Sequence, residues 1–169
     1  MKNKIATIIA TWFGVGFSPI MSGTMGSLVA LPFAWAIQTY MGDFALPICT
    51  IILFPIGWWA TKVYIQTTGK HDPKEIVVDE VVGQWLLLSV FVEPKVCVYF
   101  LAFVLFRFFD ILKPYPVSIP DKKMDNALGV MLDDVFAGLY PFAIFTFAVI
   151  IFGLFGKADI VYNFIDLLL

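Results

Sequence analysis

Val135-Phe136-Ala137-Gly138-Leu139-Tyr140-Pro141-Phe142-Ala143-Ile144-Phe145-Thr146-Phe147-Ala148-Val149-Ile150-Ile151-Phe152-Gly153-Leu154-Phe155-Gly156 carries no charged side chain in 22 residues. A bilayer core about 30 Å thick is crossed by about 20 helical residues, so this stretch predicts a membrane helix. Four further apolar runs lie upstream of it: Leu28–Met41, Phe44–Ala60, Val81–Val92 and Val96–Phe106, the last two split by Glu93-Pro94-Lys95. Several are short for a full crossing and are accommodated by flanking residues or by half-helices that stop inside the membrane. The expectation is an all-α, multi-helical integral membrane bundle of four or five embedded helices, some short or broken, in one domain over 1–169. Ile5–Phe17 behind Lys2 and Lys4 resembles the start of a signal peptide. The Ser18–Ser27 stretch that follows reads as functional, so the segment is expected to be retained.

Composition agrees. Hydrophobic residues make up 60% of the chain and charged ones 14%, where about 45–50% and 25% are usual. Mean hydropathy is +0.89. With 11 basic and 13 acidic side chains, the surface of a soluble sphere this size cannot be covered. A net charge of −2 excludes a general nucleic-acid binder, which carries a basic face. Cys49 and Cys97 form no C-x-x-C pair and need no role beyond that of small hydrophobes. The single His71 excludes any site built on two histidines.

Seven of the 11 basic residues fall in the Thr61–Glu80 and 107–126 segments, among them Lys70 and Lys122. The positive-inside rule puts both segments on the cytoplasmic side. The chain between them must then enter and return, with Glu93-Pro94-Lys95 as the tip of a hairpin.

Charge inside an apolar chain is costly and therefore informative, and ten of the 13 acids lie between Asp72 and Asp134. Asp79-Glu80 opens the apolar run at Val81, and Asp133-Asp134 opens the run at Val135. Each pair has a glycine four residues beyond one acid, Gly83 after Asp79 and Gly138 after Asp134. Residues four apart share a helix face, so each carboxylate sits beside a place where another backbone can come close. Acids at a helix start also serve as caps. Two such starts facing each other would gather up to four carboxylates, hard oxygen ligands suited to Mg²⁺, which takes phosphate oxygens as further ligands.

Two more clusters point to phosphate. Arg107, Asp110 and Lys113 step by three along a helix that ends before Pro114. They form either an interfacial salt bridge of little worth or, with the chain's only arginine, a forked phosphate contact. Gly14 to Ser27 is rich in small and hydroxyl residues. It reads equally as an anion cradle at a helix start or as close helix packing with a cap. It lacks the G-K-[ST] ending of a P-loop. No D-x-D, C-x5-R or D-G sequence occurs, which removes the usual aspartyl phosphatases, cysteine phosphatases and CDP-alcohol transferases. An ion-coupled transporter built on half-helices is the rival from another class. Against it, the acids sit at helix mouths and no second half mirrors the first. A purely structural membrane subunit would leave the acid pairs without a reason.

Taken in order, Gly14-Val15-Gly16-Phe17-Ser18-Pro19, Ser22-Gly23-Thr24-Met25-Gly26-Ser27, His71-Asp72 with Ile76-Val77-Val78-Asp79-Glu80, Phe106 to Pro116, and Gly129-Val130-Met131-Leu132-Asp133-Asp134 with Ala137-Gly138 resemble the phosphatidylglycerophosphatase A family over nearly the whole chain. One departure is visible: Asn126-Ala127 stand where the family usually has paired glycines. The resemblance implies an all-helical, Mg²⁺-dependent lipid phosphatase of the bacterial inner membrane. It would be multi-pass, face the cytoplasm and remove the terminal phosphate of phosphatidylglycerol phosphate. By the same resemblance Asp79, Glu80, Asp133 and Asp134 would hold Mg²⁺, one of them serving as base for an attacking water. Arg107 and Lys113 would contact phosphate, Asp110 would orient Arg107 or join the metal, and Thr24 and Ser27 would add hydroxyl or N–H donors. Water or a carboxylate could be the nucleophile, and oligomeric state is left open.

Overall fold

Helix formation follows the apolar runs, and the helix ends follow their polar punctuation. The computed structural model describes residues 2–42, 44–70, 73–91, 94–115, 124, 126–156 and 159. Among them are six α-helices and no strand: α1 (Lys2–Ala10), α2 (Ser22–Met41), α3 (Ala45–Thr68), α4 (Val78–Leu88), α5 (Val96–Leu112) and α6 (Ala127–Leu154). A 3-10 turn, Val15–Phe17, links α1 to α2. The fold is all-α, as expected.

Two helices, α3 and the Ala127–Ile144 part of α6, have the length and apolarity of a crossing. Four or five embedded helices were expected, and the difference is one of length and composition. At about 1.5 Å per residue α4 is roughly 16 Å long, half a bilayer core. α2 incorporates the polar Ser22–Ser27 stretch, and α5 has only 17 residues. The boundaries shift as well. α3 runs through to Thr68, so Lys62 and Thr61, expected in a loop, lie on the helix, with Thr61 buried. α6 starts at Ala127 because the Asn126 side-chain oxygen Oδ1 accepts from the N–H groups of Leu128 (2.9 Å) and Gly129 (3.1 Å). Asn126 has an extended backbone (φ −154°), which any residue adopts, so this loop needs no glycine pair.

The short α4 is the hub. Val78, Val81, Val82, Gly83, Gln84 and Leu88 are buried, and the helix packs on α2, α3, α5 and, most extensively, α6. The α4–α6 crossing is a backbone contact. A Cβ on Gly83 would lie 2.5 Å from the Asp134 carbonyl oxygen and 2.6 Å from the Phe106 ring. A Cβ on Gly138 would collide with the Gly83 carbonyl. The close approach expected at these two glycines is thus one and the same contact.

The first turn of α4 and the last turns of α5 line one cavity, so the two ends of the 78–112 stretch come back together. The hairpin tip residue Glu93 lies outside the described residues, as do His71, Asp72, Lys122 and Lys123. At the N-terminus, α1 and the 3-10 turn dock on the 73–77 segment. The Val77 N–H donates to the Ala10 carbonyl (2.9 Å), and the Ser22 hydroxyl donates to the Lys74 carbonyl (2.6 Å). Gly16 presses on the Glu75 backbone and Gly26 on Val77, leaving no room for a Cβ at either. Lys70 hydrogen-bonds Glu75 in the same segment and thereby holds its carboxyl below the ordinary range.

Candidate active site

Four elements converge on a cavity of about 510 Å³. α2 contributes Ser22, Gly23 and Thr24 from its first turn, and α4 contributes Asp79 and Glu80. α5 brings Arg107, Asp110 and Lys113 from its last turns, and α6 brings Gly129, Asp133 and Asp134. The α4–α6 backbone contact sets the distance between the two acid pairs. The α2 start is held by the Ser22–Lys74 hydrogen bond.

Asp79, Glu80 and Asp134 each present a carboxylate oxygen within 4.8 Å of the others. Asp79 and Asp134 are 7% and 4% exposed, so little water reaches them. Asp79 also accepts the Glu80 N–H (3.0 Å), one of the free donors at the start of α4. The Glu80 Oε2 atom is buried without a hydrogen-bond partner. Three ionised carboxylates so close, in so dry a place, repel one another strongly unless a cation neutralises them. Such a trio of hard oxygen donors can hold a metal ion.

Asp133 lines the same cavity but is paired with a cation. Its Oδ2 lies 2.6 Å from the Lys113 ammonium. Lys113 takes a left-handed backbone (φ +41°) at the end of α5, which turns the chain there as Pro114 stops the helix. The structure therefore brings together three of the four acids expected to act as a group and gives the fourth a cationic partner.

Of the residues expected to contact phosphate, Arg107, Lys113 and Thr24 line this cavity. Arg107 Nη1 is 2.5 Å from Asp110 Oδ2, while its Nε is buried and makes no hydrogen bond. Gly23 faces this pair and Glu80: a Cβ there would strike the Glu80 carboxylate and come within 3.3 Å of Arg107 Nη1. A larger residue there would push the Glu80 carboxylate aside. The Thr24 hydroxyl is buried and unpartnered. Ser27 is buried too, but its hydroxyl donates to the Gly23 carbonyl (2.9 Å) and it does not line the cavity. The N-terminal small-residue stretch thus divides. Gly16 and Gly26 serve packing, while Gly23 and Thr24 face the site.

Sequence reasoning missed several contributors, among them Lys74, Asn126 and Met21, which all line the cavity. Asn126 fixes where α6 begins, and an Asn ahead of an apolar run is a recognised start signal. Met21 lines the cavity with a left-handed backbone (φ +44°), for which a methionine gives no signal.

A family model described as phosphatidylglycerophosphatase A matches residues 8–151. A phosphatidylglycerophosphatase A of Escherichia coli (strain K12) is 34% identical over 140 residues, 83% of this chain and 81% of that protein. One from Haemophilus influenzae is 35% identical, covering 79% of this chain and 82% of that protein. A Bacteroides thetaiotaomicron protein named "Putative phosphatidylinositol-3-phosphatase" is 38% identical over 85% of this chain and 93% of its own length. No solved structure gives a significant match. The chain belongs to the phosphatidylglycerophosphatase A family of lipid phosphatases.

Proposed function

We propose that this member of the family is a Mg²⁺-dependent phosphatase that converts phosphatidylglycerol phosphate to phosphatidylglycerol within a bacterial inner membrane. The observation that carries the reading is the cavity itself. It sets three buried carboxylates within 4.8 Å of one another beside an arginine whose Nε has no partner. The first group suits a divalent cation and the second a phosphate. A transporter's cation site has no need of the second.

Asp79, Glu80 and Asp134 would hold the ion, and the orphaned Glu80 Oε2 is the atom most in need of it. When bound, a divalent cation neutralises phosphoryl oxygens and makes attack by water feasible near neutral pH. The remaining steps belong to the chain. Arg107 donates its free Nε edge to the phosphate, while Asp110, 2.5 Å from its Nη1, pairs with its charge. Lys113, steadied by Asp133, adds positive charge at the rim, and the Thr24 hydroxyl supplies a donor from α2. An attacking water gives its proton to a carboxylate of the cavity as its oxygen bonds to phosphorus. The bond to the glycerol oxygen breaks, and that oxygen takes up a proton.

Membrane embedding rests on the exterior. Only 28% of the apolar stretch of α3 and 39% of that in α6 is buried, whereas a core helix of a soluble protein would be mostly covered. Large apolar side chains such as Ile51 (72% exposed) and Phe147 (65%) point outward, which suits lipid tails. The lysines beside the cavity support a cytoplasmic placement for it.

The Bacteroides relative's name favours a second reading, an inositol lipid headgroup. Purified protein in detergent should release phosphate from phosphatidylglycerol phosphate faster than from phosphatidylinositol 3-phosphate, and only with Mg²⁺ or Mn²⁺. Full activity in excess chelator would overturn the metal assignment. Preference for the inositol lipid would overturn the substrate.

A further inference from the structure

We propose that an apolar groove between α2 and α5 holds an acyl chain of the lipid whose phosphate occupies the acidic cavity. The inference rests on the phosphatase reading and extends it to how the lipid is held. The groove encloses about 520 Å³, and its walls include Leu28, Leu31 and Trp35 of α2 and Tyr99, Phe100 and Phe103 of α5.

Its position carries the argument. The same two helices line the cavity, α2 through Ser22 to Thr24 and α5 through Arg107 and Asp110. Leu28 lies one turn beyond Thr24, and Phe103 one turn before Arg107. Side chains four apart stack on one helix face. The apolar walls therefore continue the polar ones on both helices at once. From Thr24 to Trp35 the seam runs about 16 Å at ~1.5 Å per residue.

The groove is open along its side and carries an aromatic pair in its wall. Leu28 and Phe100 are 45% and 67% exposed, so a chain can enter laterally from the bilayer. In that wall, Trp35 and Tyr99 meet edge to face with ring centroids 5.4 Å apart. Tyr99 donates its hydroxyl to the buried Gln38 side chain, and Gln38 donates to the Phe91 carbonyl (2.7 Å). A held aromatic wall beside an open apolar slot, in line with a phosphate-type site, matches a lipid with a charged head and a flexible tail.

The test compares kcat/KM for dioleoyl and dibutyryl forms of phosphatidylglycerol phosphate in detergent, since the short tails cannot reach the groove. Wild type should favour the long-chain form. Leu28→Trp, which fills the slot, should lower that preference about tenfold, the lower end for a changed fit in an apolar pocket. Phe100→Ala, at an exposed position that folding does not need, should lower it less. The dibutyryl rate serves as the internal control for folding and chemistry. An unchanged long-to-short ratio in both variants overturns the proposal, whatever the absolute rates. If that unchanged ratio comes with a shift in oligomeric state, the seam belongs to a second copy of the chain. Failure of wild type to hydrolyse either form would instead bring down the phosphatase reading, and the groove assignment with it.

Discussion

The acid pairs on α4 and α6 are written alike in the sequence, each two acids followed by a valine and a nearby glycine, yet they end differently. On α4 both members, Asp79 and Glu80, reach the carboxylate trio. On α6 only Asp134 does, and Asp133 pairs with Lys113. Adjacent helix residues point about 100° apart, so neither pair can aim two equal side chains at one point. Glu80 has one methylene more than an aspartate and bends back to its neighbour's site. Asp133 is too short to do so and meets the cation that the end of α5 presents. Two adjacent acids are thus not in themselves a ligand pair. Side-chain length and the charge on the facing helix decide.

The comparison breaks most sharply at the two buried aspartates that face each other across the crossing. Asp79→Asn and Asp134→Asn should each lower kcat by about 10³-fold or more, the ~4 kcal/mol of charge stabilisation lost with a ligand. Asparagine can keep the 3.0 Å bond that Asp79 accepts from the Glu80 N–H and caps helices about as well as aspartate. Thermal stability should therefore change little, and high Mg²⁺ should restore part of the rate. Near-normal turnover in the Asn variants, with loss of folded protein in the Ala variants, would make these residues structural.

A smaller effect should come from the contact that holds the pairs at their distance. Gly83→Ala puts a methyl group 2.5 Å from the Asp134 carbonyl oxygen. Overpacking of this kind costs about 1–3 kcal/mol, and the backbone of α6 must move away. A misplacement of about 1 Å can cost about 10²-fold in rate. The expected outcome is a folded protein with a lowered melting temperature and kcat reduced about 10²-fold. A variant with full activity would show that the trio does not depend on the α4–α6 contact.

Much of this could be read from residues. The apolar runs located five of the six helices, and the glycines at 83 and 138 announced a close approach because only a missing Cβ permits one. Arg107, Asp110 and Lys113 fell on one helix end by simple periodicity. Other features depend on contacts between distant segments and stayed hidden. Nothing local in Asp133-Asp134 says that one of them will face a lysine 20 residues upstream. Ser27 looks like Thr24 in sequence, yet its hydroxyl is used up by the Gly23 carbonyl while Thr24 faces the cavity. Four or five embedded helices were expected and two have the length and apolarity of a crossing, because a run such as Val81–Val92 is apolar enough but folds into an α4 of 11 residues.

The smallest effect, and the finest test of the difference between the pairs, lies at Asp133. If it positions Lys113 rather than holding the ion, Asp133→Asn should raise KM about tenfold, the lower end for a supporting partner, and leave most of kcat. The Mg²⁺ concentration for half-maximal rate should stay where it is, because the trio is intact. Lys113→Gln should show the same KM-weighted loss. The double variant should be no worse than the poorer single one, since each removes the same 2.6 Å ion pair and residues acting through one contact are not additive. A ligand would behave otherwise: kcat would fall about as far as in Asp134→Asn, the Mg²⁺ requirement would rise, and losing Lys113 as well would make matters worse. The sign of that coupling, together with the Mg²⁺ titration, decides whether the site is built on three carboxylates or on four.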